Sequence, residues 1–195
     1  MKGPTGFVSK HLNRKISNKI VDCLVKTSVT PNQLTFSMLI FCVPLFLLGY
    51  SGYFVLCGIL IQLISILDGV DGEVARRKNL VSEKGAVYDT VVDHVLDAAA
   101  VMALGLALLR HTDLPTEVTL LAVSLTIFLR EVAFLTYRIS REKKPHLIRD
   151  TRDGICLLMM LGSFLAILSP WLLILIFLLI NLLRLDNMIF RLVKA

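Results

Sequence analysis

Two long stretches of the chain contain no charged residue, one from Thr27 to Leu67 and the other from Gly154 to Leu183. A helix rises about 1.5 Å per residue, and about 20 apolar residues cross the hydrocarbon core of a bilayer. Each stretch is therefore long enough for one membrane-spanning helix, and for two where a turn interrupts it. The pattern predicts an integral membrane protein built from helices.

Turn residues and charged connections divide the chain into six predicted spans. They cover approximately residues 31–49, 53–77, 84–109, 115–140, 148–168 and 170–190. Glycine and proline mark several of the breaks, as in "GYSGY" before the second span and Ser169-Pro170 before the sixth. Thr30 followed by Pro31 is typical of a helix N-cap with proline in the first helical position.

The residues before the first span have the pattern of an amphipathic helix. Apolar side chains recur every four residues, and basic side chains lie on the other faces; the apolar positions are Val8, Leu12, Ile16, Ile20 and Leu24. We expect this helix to lie in the membrane interface, although an ordinary soluble helix would show the same pattern. The predicted organisation is a juxtamembrane segment, 1–28, and one transmembrane domain, 29–195.

Basic residues fall almost entirely on one side of the predicted membrane. They precede the first span, connect spans two and three and spans four and five, and follow the sixth, whereas the opposite side carries only Arg110. The positive-inside rule then predicts a multi-pass cell-membrane protein with both termini in the cytoplasm. In a chain that is 55% hydrophobic, the net charge of +6 suits membrane lipids and anionic substrates rather than nucleic acid.

Two pairs of aspartates lie beside the cytoplasmic connection between the second and third predicted spans. Asp68 and Asp71 are three residues apart, and Asp89 and Asp93 are four apart, so each pair shares a helix face. Each aspartate near a span centre costs about 2.5–3.5 kcal/mol. Converged carboxylates also repel one another unless protons or cations neutralise them. We therefore predict that the two pairs converge on two hard divalent cations.

Other interpretations of these residues remain open. The aspartates could be solvated at helix ends, or could form salt bridges with Arg76 and Arg77. Asp97 follows on roughly the same helix face and is not assigned to the cations. The small residues near the pairs could leave room for a flat base or could simply allow close helix packing; they are Gly72, Ala75 and Gly85.

The order and spacing of these residues resemble a family signature. The sequence reads Asp68-x-x-Asp71-Gly72-x-x-Ala75-Arg76, then eight residues, then Gly85-x-x-x-Asp89-x-x-x-Asp93. This resembles the signature of the CDP-alcohol phosphotransferase (phosphatidyltransferase) family. The resemblance implies an all-α integral membrane fold, in which six transmembrane helices surround a polar cavity that faces the cytoplasm. It also implies a homodimer.

The same resemblance implies a reaction and a role for each signature residue. Family enzymes displace CMP from a CDP-alcohol with the hydroxyl of a second alcohol, and two divalent cations, Mg²⁺ or Mn²⁺, hold the diphosphate. By position in the motif, Asp68, Asp71 and Asp89 would be metal ligands, and Asp93 would be both a ligand and the general base. The CDP group would be bordered by Asp68, Asp71, Gly72, Ala75, Arg76 and Gly85.

Four arginines at the cytoplasmic depth of the aspartates are candidates for binding a phosphate on the acceptor. They are Arg138, Arg149, Arg152 and Arg191. Arginine suits bidentate phosphate recognition, although positive-inside topology and lipid contact would explain the same residues. A phosphorylated acceptor such as inositol phosphate or glycerol phosphate is therefore favoured over choline or ethanolamine.

The beginning of the chain indicates a branch within the family. "GFVSKHLNRKIS" followed by "TPNQLT" resembles the di-myo-inositol-phosphate-phosphate synthases. That resemblance implies CDP-inositol as donor, supplied by a separate or fused cytidylyltransferase, and an inositol phosphate as acceptor. The alternatives are phospholipid synthesis from CDP-diacylglycerol with inositol phosphate or glycerol phosphate, a cation transporter that uses the aspartates as an ion path, and a non-catalytic membrane scaffold.

Overall fold

The computed structural model describes residues 14–139 and 152–194, and within these two ranges the only regular secondary structure is helical. The helices are α1 Arg14–Leu24, α2 Pro31–Ser37, a 3₁₀ turn Met38–Phe41, α3 Cys42–Tyr50, α4 Phe54–Arg77, α5 Glu83–His111, α6 Thr116–Ile139, α7 Arg152–Leu165 and α8 Pro170–Lys194. The predicted all-α class is confirmed.

The first predicted span is confirmed as a helical segment with a capped start. The backbone N–H of Gln33 donates to the Thr30 side chain at 3.3 Å, and the Thr30 N–H donates to the Gln33 side chain at 2.9 Å. This reciprocal capping box, with Pro31 in the first turn, is the arrangement predicted for this position. Helix, 3₁₀ turn and helix then follow one another without a gap from Pro31 to Tyr50.

Five segments of the described chain are long and apolar enough to cross a membrane. They are Pro31–Tyr50, Phe54–Arg77, Glu83–His111, Thr116–Thr136 and Pro170–Phe190. The remaining apolar helix, α7, has 14 residues, a length of about 21 Å, whereas the hydrocarbon core is about 30 Å thick. Residues 148–151, where the fifth span was expected to begin, lie outside the described residues, so the count of six spans stays a prediction.

Helix α1 packs against the end of α4 that leads into α5. Val21 is fully buried there with Val70 and Val74. Ile20 and Leu24 of the predicted apolar face pack against these residues as well, and Val21, which the pattern of every fourth residue did not include, widens that face. The first positions of the predicted apolar face, Val8 and Leu12, lie outside the described residues.

Polar contacts fix the same junction. Arg77 of α4 forms an ion pair with Asp22 of α1. Lys78 donates its ammonium group to the carbonyl oxygens of Thr27 and Val29, at 2.7 and 2.8 Å. These bonds join the segment between α1 and α2 to the end of α4, and so hold α2 beside the aspartates of that helix.

Helices α4 and α7 run antiparallel and approach closely. A Cβ atom on Gly58 would lie 1.9 Å from the Ser163 hydroxyl oxygen and 3.1 Å from the Met160 backbone. Glycine is therefore required for this spacing of the two helices. The antiparallel register then places the first residue of α7, Arg152, beside Asp68 of α4.

Candidate metal centre and active site

Three of the four predicted metal ligands lie together. A carboxylate oxygen from each of Asp68, Asp89 and Asp93 falls within 4.8 Å of the other two. Asp68 comes from the last part of α4, and the other two come from the first turns of α5. The short connection between these helices, with Ser82 capping α5 at Gly85, brings the two faces together as the spacing predicts. We call these three residues the aspartate cluster.

Asp71 lies one turn along α4 from Asp68, but its carboxylate lies outside the aspartate cluster. It is 5% exposed and accepts a hydrogen bond from the Thr35 hydroxyl of α2. It also accepts one from the backbone N–H of Gly72, at 2.5 Å. Thr35 had no assigned role in the sequence, although it is the last residue of the quoted "TPNQLT" segment.

The aspartate cluster is in contact with an arginine from a distant part of the chain. Nη1 of Arg152 forms ion pairs with Asp68 and with Asp93, the latter at 2.7 Å. The aspartates do form salt bridges, as one interpretation of the sequence expected, but their partner is Arg152 and not Arg76 or Arg77. Among the described contacts, Arg76 and Arg77 pair instead with Glu73, and Arg77 also with Asp22.

Asp97 joins three helices one turn beyond Asp93. Its carboxylate accepts from Nε of Arg130 in α6 and from Nε of Arg152 in α7, both at 2.8 Å. Its side chain is only 12% exposed. This geometry agrees with a ligand set that does not include Asp97, because both of its oxygens contact arginine.

A second polar pair lies close to the aspartate cluster. The ring nitrogen Nδ1 of His94 lies 2.8 Å from both carboxylate oxygens of Glu131, and the imidazole packs edge-on against Phe134. Neither His94 nor Glu131 belongs to a motif that predicts a role. Helical spacing alone gave no signal for them, because the contact depends on how α6 packs against α5.

The small residues of the signature have different surroundings. Among the described residues outside the α4 backbone, a Cβ on Gly72 would meet only the Arg76 side chain, at 3.6 Å, whereas a Cβ on Gly85 would lie 3.3 Å from the Asn32 side chain. Gly72 therefore borders open space, and Gly85 permits a close approach to α2. Ala75 is half-buried and Arg76 is exposed.

Of the four arginines predicted to bind an acceptor phosphate, Arg152 is the one whose side chain the structure describes. Arg149 lies outside the described residues. Arg138 and Arg191 fall within α6 and α8, but their side chains lie outside the described part of the chain. The location of Arg152, directly against the aspartate cluster, places a phosphate-binding type of side chain beside the predicted reaction centre.

The geometry of the aspartate cluster fits a hard divalent cation. Mg²⁺ binds carboxylate oxygens at about 2.0–2.1 Å and Ca²⁺ at about 2.3–2.6 Å, so two oxygens on one cation lie at most about 4.2 Å apart for Mg²⁺ and about 5 Å apart for Ca²⁺. The oxygens of the aspartate cluster lie within 4.8 Å of one another, which meets the limit for Ca²⁺ and lies within about 0.6 Å of the limit for Mg²⁺. Oxygen donors alone, without a cysteine or histidine among the three, favour Mg²⁺, Mn²⁺ or Ca²⁺ over zinc or copper.

Comparison with known proteins finds a matching family model and several relatives. Residues 28–190 match the family model described as CDP-alcohol phosphatidyltransferase. A "Bifunctional IPC transferase and DIPP synthase" of Thermococcus kodakarensis is 43% identical over 108 residues, which cover 52% of this chain and 23% of that protein. An "Archaetidylinositol phosphate synthase" of Pyrococcus horikoshii is 33% identical over 98 residues, or 49% of this chain and 50% of that protein. The matched regions thus span half or less of either relative.

A solved membrane-enzyme structure has the same fold. Phosphatidylinositol phosphate synthase of Mycobacterium tuberculosis, in its apo form, superposes with a TM-score of 0.74 at 17% sequence identity, covering 89% of this chain and 93% of that chain. Its structures with manganese and citrate and with CDP-DAG give TM-scores of 0.72 and 0.70. The likeness extends through nearly all of both chains.

Proposed function

Since this chain belongs to the CDP-alcohol phosphatidyltransferase family, as its signature predicted, we propose that it transfers the phospho-alcohol group of a CDP-alcohol to an acceptor hydroxyl. The other product is CMP. The observation that carries this proposal is the convergence of Asp68, Asp89 and Asp93 from two adjacent helices within 4.8 Å. Such a concentration of carboxylates is costly within a membrane protein and is typical of a functional site.

The proposed metal ligands are Asp68, Asp71, Asp89 and Asp93. These residues would hold two divalent cations, Mg²⁺ or Mn²⁺, which when bound would stabilise charge on the entering and leaving oxygens. Support comes from the carboxylate geometry and from the manganese in the solved structure of a protein with the same fold. Asp71 would need to turn from Thr35 or share its second oxygen to join the other three.

Asp93 is the proposed general base. Its carboxylate would accept the proton of the acceptor hydroxyl as the new oxygen–phosphorus bond forms and the bond from that phosphorus to the CMP leaving group breaks. Its half-buried position, beside Asp68 and Asp89, supports this role. The open space at Gly72 supports binding of the CDP group there, with Ala75, Arg76 and Gly85 as further contacts.

The proposed substrates are CDP-inositol as donor and an inositol phosphate as acceptor. Support comes from the name of the Thermococcus relative, a DIPP synthase, at 43% identity. The acceptor phosphate would bind Arg152, which already lies at the aspartate cluster, together with Arg138, Arg149 and Arg191. Two or more guanidinium groups around one phosphate would give both charge and orientation.

A second candidate is phospholipid synthesis from CDP-diacylglycerol with inositol phosphate or glycerol phosphate. It is favoured by the archaetidylinositol phosphate synthase named among the relatives. The structure solved with CDP-DAG, which covers 91% of this chain, favours it as well. Both candidates share the same reaction and differ in the alcohol that the donor carries.

The proposed setting is a cell membrane crossed by six helices, with the polar cavity and both termini facing the cytoplasm. The basic residues on one side of the predicted spans support this orientation. We also propose that the chain forms a homodimer among membrane lipids, as the family resemblance implies.

The full chain, purified in detergent or lipid nanodiscs, should be tested for CMP release. Each donor, CDP-inositol or CDP-diacylglycerol, is combined with inositol phosphate or glycerol phosphate, and with Mg²⁺, Mn²⁺ or EDTA. We expect the CDP-inositol and inositol phosphate pair to be fastest, and EDTA to stop CMP release. A faster CDP-diacylglycerol reaction would support the second candidate. Cation uptake into vesicles without CMP release from any pair would support the transporter and contradict both enzyme proposals.

A further inference from the structure

Arg152 contacts three aspartates through two different parts of its guanidinium group. Nε donates to Asp97 at 2.8 Å, while Nη1 forms ion pairs with Asp68 and Asp93. The side chain is only 17% exposed, so bulk water screens these contacts weakly. One arginine from α7 therefore partly offsets the negative charge of carboxylates on both α4 and α5.

The two ends of this guanidinium group are held differently. The Nε contact with Asp97 is a well-formed hydrogen bond, and Asp97 is itself fixed by Arg130 of α6. Nη1 lies at ion-pair distance from Asp68 and Asp93, yet it makes no well-aligned hydrogen bond to either of them. Nη2 is also buried without a hydrogen-bond partner in the described part of the chain. Nε is thus fixed by a hydrogen bond to Asp97, whereas Nη1 is held by ion pairs alone, and N–H groups of Nη1 and Nη2 are available as hydrogen-bond donors.

A guanidinium group and a divalent cation would compete for these carboxylates. Two of the three members of the aspartate cluster contact Arg152. A cation that binds the same oxygens would lie a few ångströms from the guanidinium charge, and like charges at that distance in a shielded site repel strongly. Metal ions also bind through the lone pairs of carboxylate oxygens, and Nη1 already lies against one oxygen of Asp68 and one oxygen of Asp93.

We propose that Arg152 is an internal counter-cation, which partly offsets the charge of Asp68 and Asp93 when metal is absent and is displaced from them when divalent cations bind. This inference rests on the metal centre of the proposed function. Asp97 and Arg130 are positioning residues, because they keep the Nε end in place while Nη1 and Nη2 swing away. The displaced donors then remain beside the reaction centre, where they can bind the phosphate of a substrate.

The test is a Mn²⁺ titration of the full chain, stripped of metal and purified in detergent, with free Mn²⁺ measured by electron paramagnetic resonance. Arg152→Gln removes the competing charge, so we expect it to bind Mn²⁺ about tenfold or more tightly than the unmodified chain. Without metal it should unfold at a lower temperature than the unmodified chain, and saturating Mn²⁺ should narrow that difference. Equal or weaker Mn²⁺ binding by Arg152→Gln would overturn the proposal.

Arg152→Lys keeps a positive charge and therefore protects the test against a failure of Arg152→Gln to fold. Its single nitrogen and shorter reach cannot reproduce contacts with Asp97 and Asp93 together. We expect Arg152→Lys to bind Mn²⁺ more tightly than the unmodified chain, by a smaller factor than Arg152→Gln. Arg152→Lys with unchanged or weaker Mn²⁺ binding would overturn the proposal by itself.

Two further variants separate this inference from the proposed metal centre. Arg110→Gln removes an arginine that stacks over Tyr50, at the opposite end of α5 from the aspartate cluster, and it should leave Mn²⁺ binding unchanged. Asp89→Asn removes a proposed ligand that Arg152 does not contact in the described structure, and it should weaken Mn²⁺ binding. If Asp89→Asn has no effect, the metal centre itself is wrong. If Asp89→Asn weakens binding but neither Arg152 variant tightens it, the counter-cation role alone is wrong.

Discussion

The hydroxyl of Thr35 donates a hydrogen bond to the carboxylate of Asp71. Both residues are almost fully buried, at 4% and 5% exposure. The bond joins the short helix α2 to the part of α4 that carries the aspartates. An aspartate that is shielded in this way needs its donors, because a buried carboxylate without hydrogen bonds is strongly destabilising.

Thr35→Val keeps the shape of the side chain and removes the hydroxyl. We expect the free energy of unfolding to fall by about 1–3 kcal/mol, the usual cost of leaving a buried polar group without its partner. CMP release should also fall, because Asp71 is no longer held in one orientation. Thermal unfolding in detergent and the CMP assay measure the two effects.

Thr90→Val is the matched control for Thr35→Val. The Thr90 hydroxyl donates to the Ala86 carbonyl of its own helix, at 2.8 Å, and this bond can be lost at small cost because that carbonyl already lies within the helix. The control should unfold close to the temperature of the unmodified chain. Equal losses of stability in both variants would show that the hydrogen bond from Thr35 to Asp71 stabilises the fold no more than the hydrogen bond that Thr90 makes within its own helix.

Asp93→Asn tests the proposed general base. The amide is nearly the same size as the carboxylate but cannot accept the acceptor proton, so turnover should fall to the background of the assay while CDP still binds. CMP release and equilibrium binding of labelled CDP measure the two properties. Asp113→Asn, on the exposed turn between α5 and α6, should change neither. Turnover that persists in Asp93→Asn would remove Asp93 from the base role.

Helical periodicity was sufficient to predict the aspartate cluster. Asp89 and Asp93 share a face because they are four apart. The short connection between α4 and α5 makes the two helices neighbours, so that Asp68 of α4 lies at the same depth as this face. Both facts are local in sequence. Asp71 shows the limit of the same reasoning, because the side chain that holds it, Thr35, lies 36 residues earlier.

The role of Arg152 could not be predicted from spacing. It is 55 residues from Asp97 along the chain, and its approach depends on the packing of α7 against α4. That packing in turn depends on Gly58, where the absence of a side chain admits Ser163. The periodicity of a single helix shows which residues share a face, but it does not show which face of another helix packs against them. Arg152 therefore stood among four equivalent candidates, although its geometry is distinct.

Gly58→Ala tests the close crossing of α4 and α7. The added Cβ would lie 1.9 Å from the Ser163 oxygen and 3.1 Å from the Met160 backbone. Either Ser163 must give up its 2.7 Å bond to the Met160 carbonyl or the helices must move apart. We expect a loss of about 1–3 kcal/mol, as is usual for overpacking. Since Arg152 begins α7, CMP release should fall as well.

Gly69→Ala is the matched control in the same helix. Apart from its chain neighbours and the backbone of α4 itself, no atom of the described residues lies within 4 Å of the position that its Cβ would take. Alanine in a helix interior is favoured over glycine by about 1 kcal/mol, so this variant should be as stable as the unmodified chain or slightly more stable. If thermal unfolding shows the same loss for both alanine variants, the α4–α7 contact does not depend on Gly58.

Gly72→Leu tests whether the open space beside the aspartates receives the CDP group. In the part of the chain that the structure describes, a Cβ at Gly72 would meet no side chain except Nη1 of Arg76, at 3.6 Å, so the fold should tolerate a side chain within about 0.5 kcal/mol. A leucine would nevertheless fill the space next to Asp71. We expect labelled CDP to bind about tenfold or more weakly, while the unfolding temperature changes little. Gly69→Leu, about 60° away around the same helix, should keep its affinity for CDP. Equal CDP affinity in both leucine variants would place the nucleotide elsewhere, because a bound base and a leucine side chain cannot share the space at Gly72.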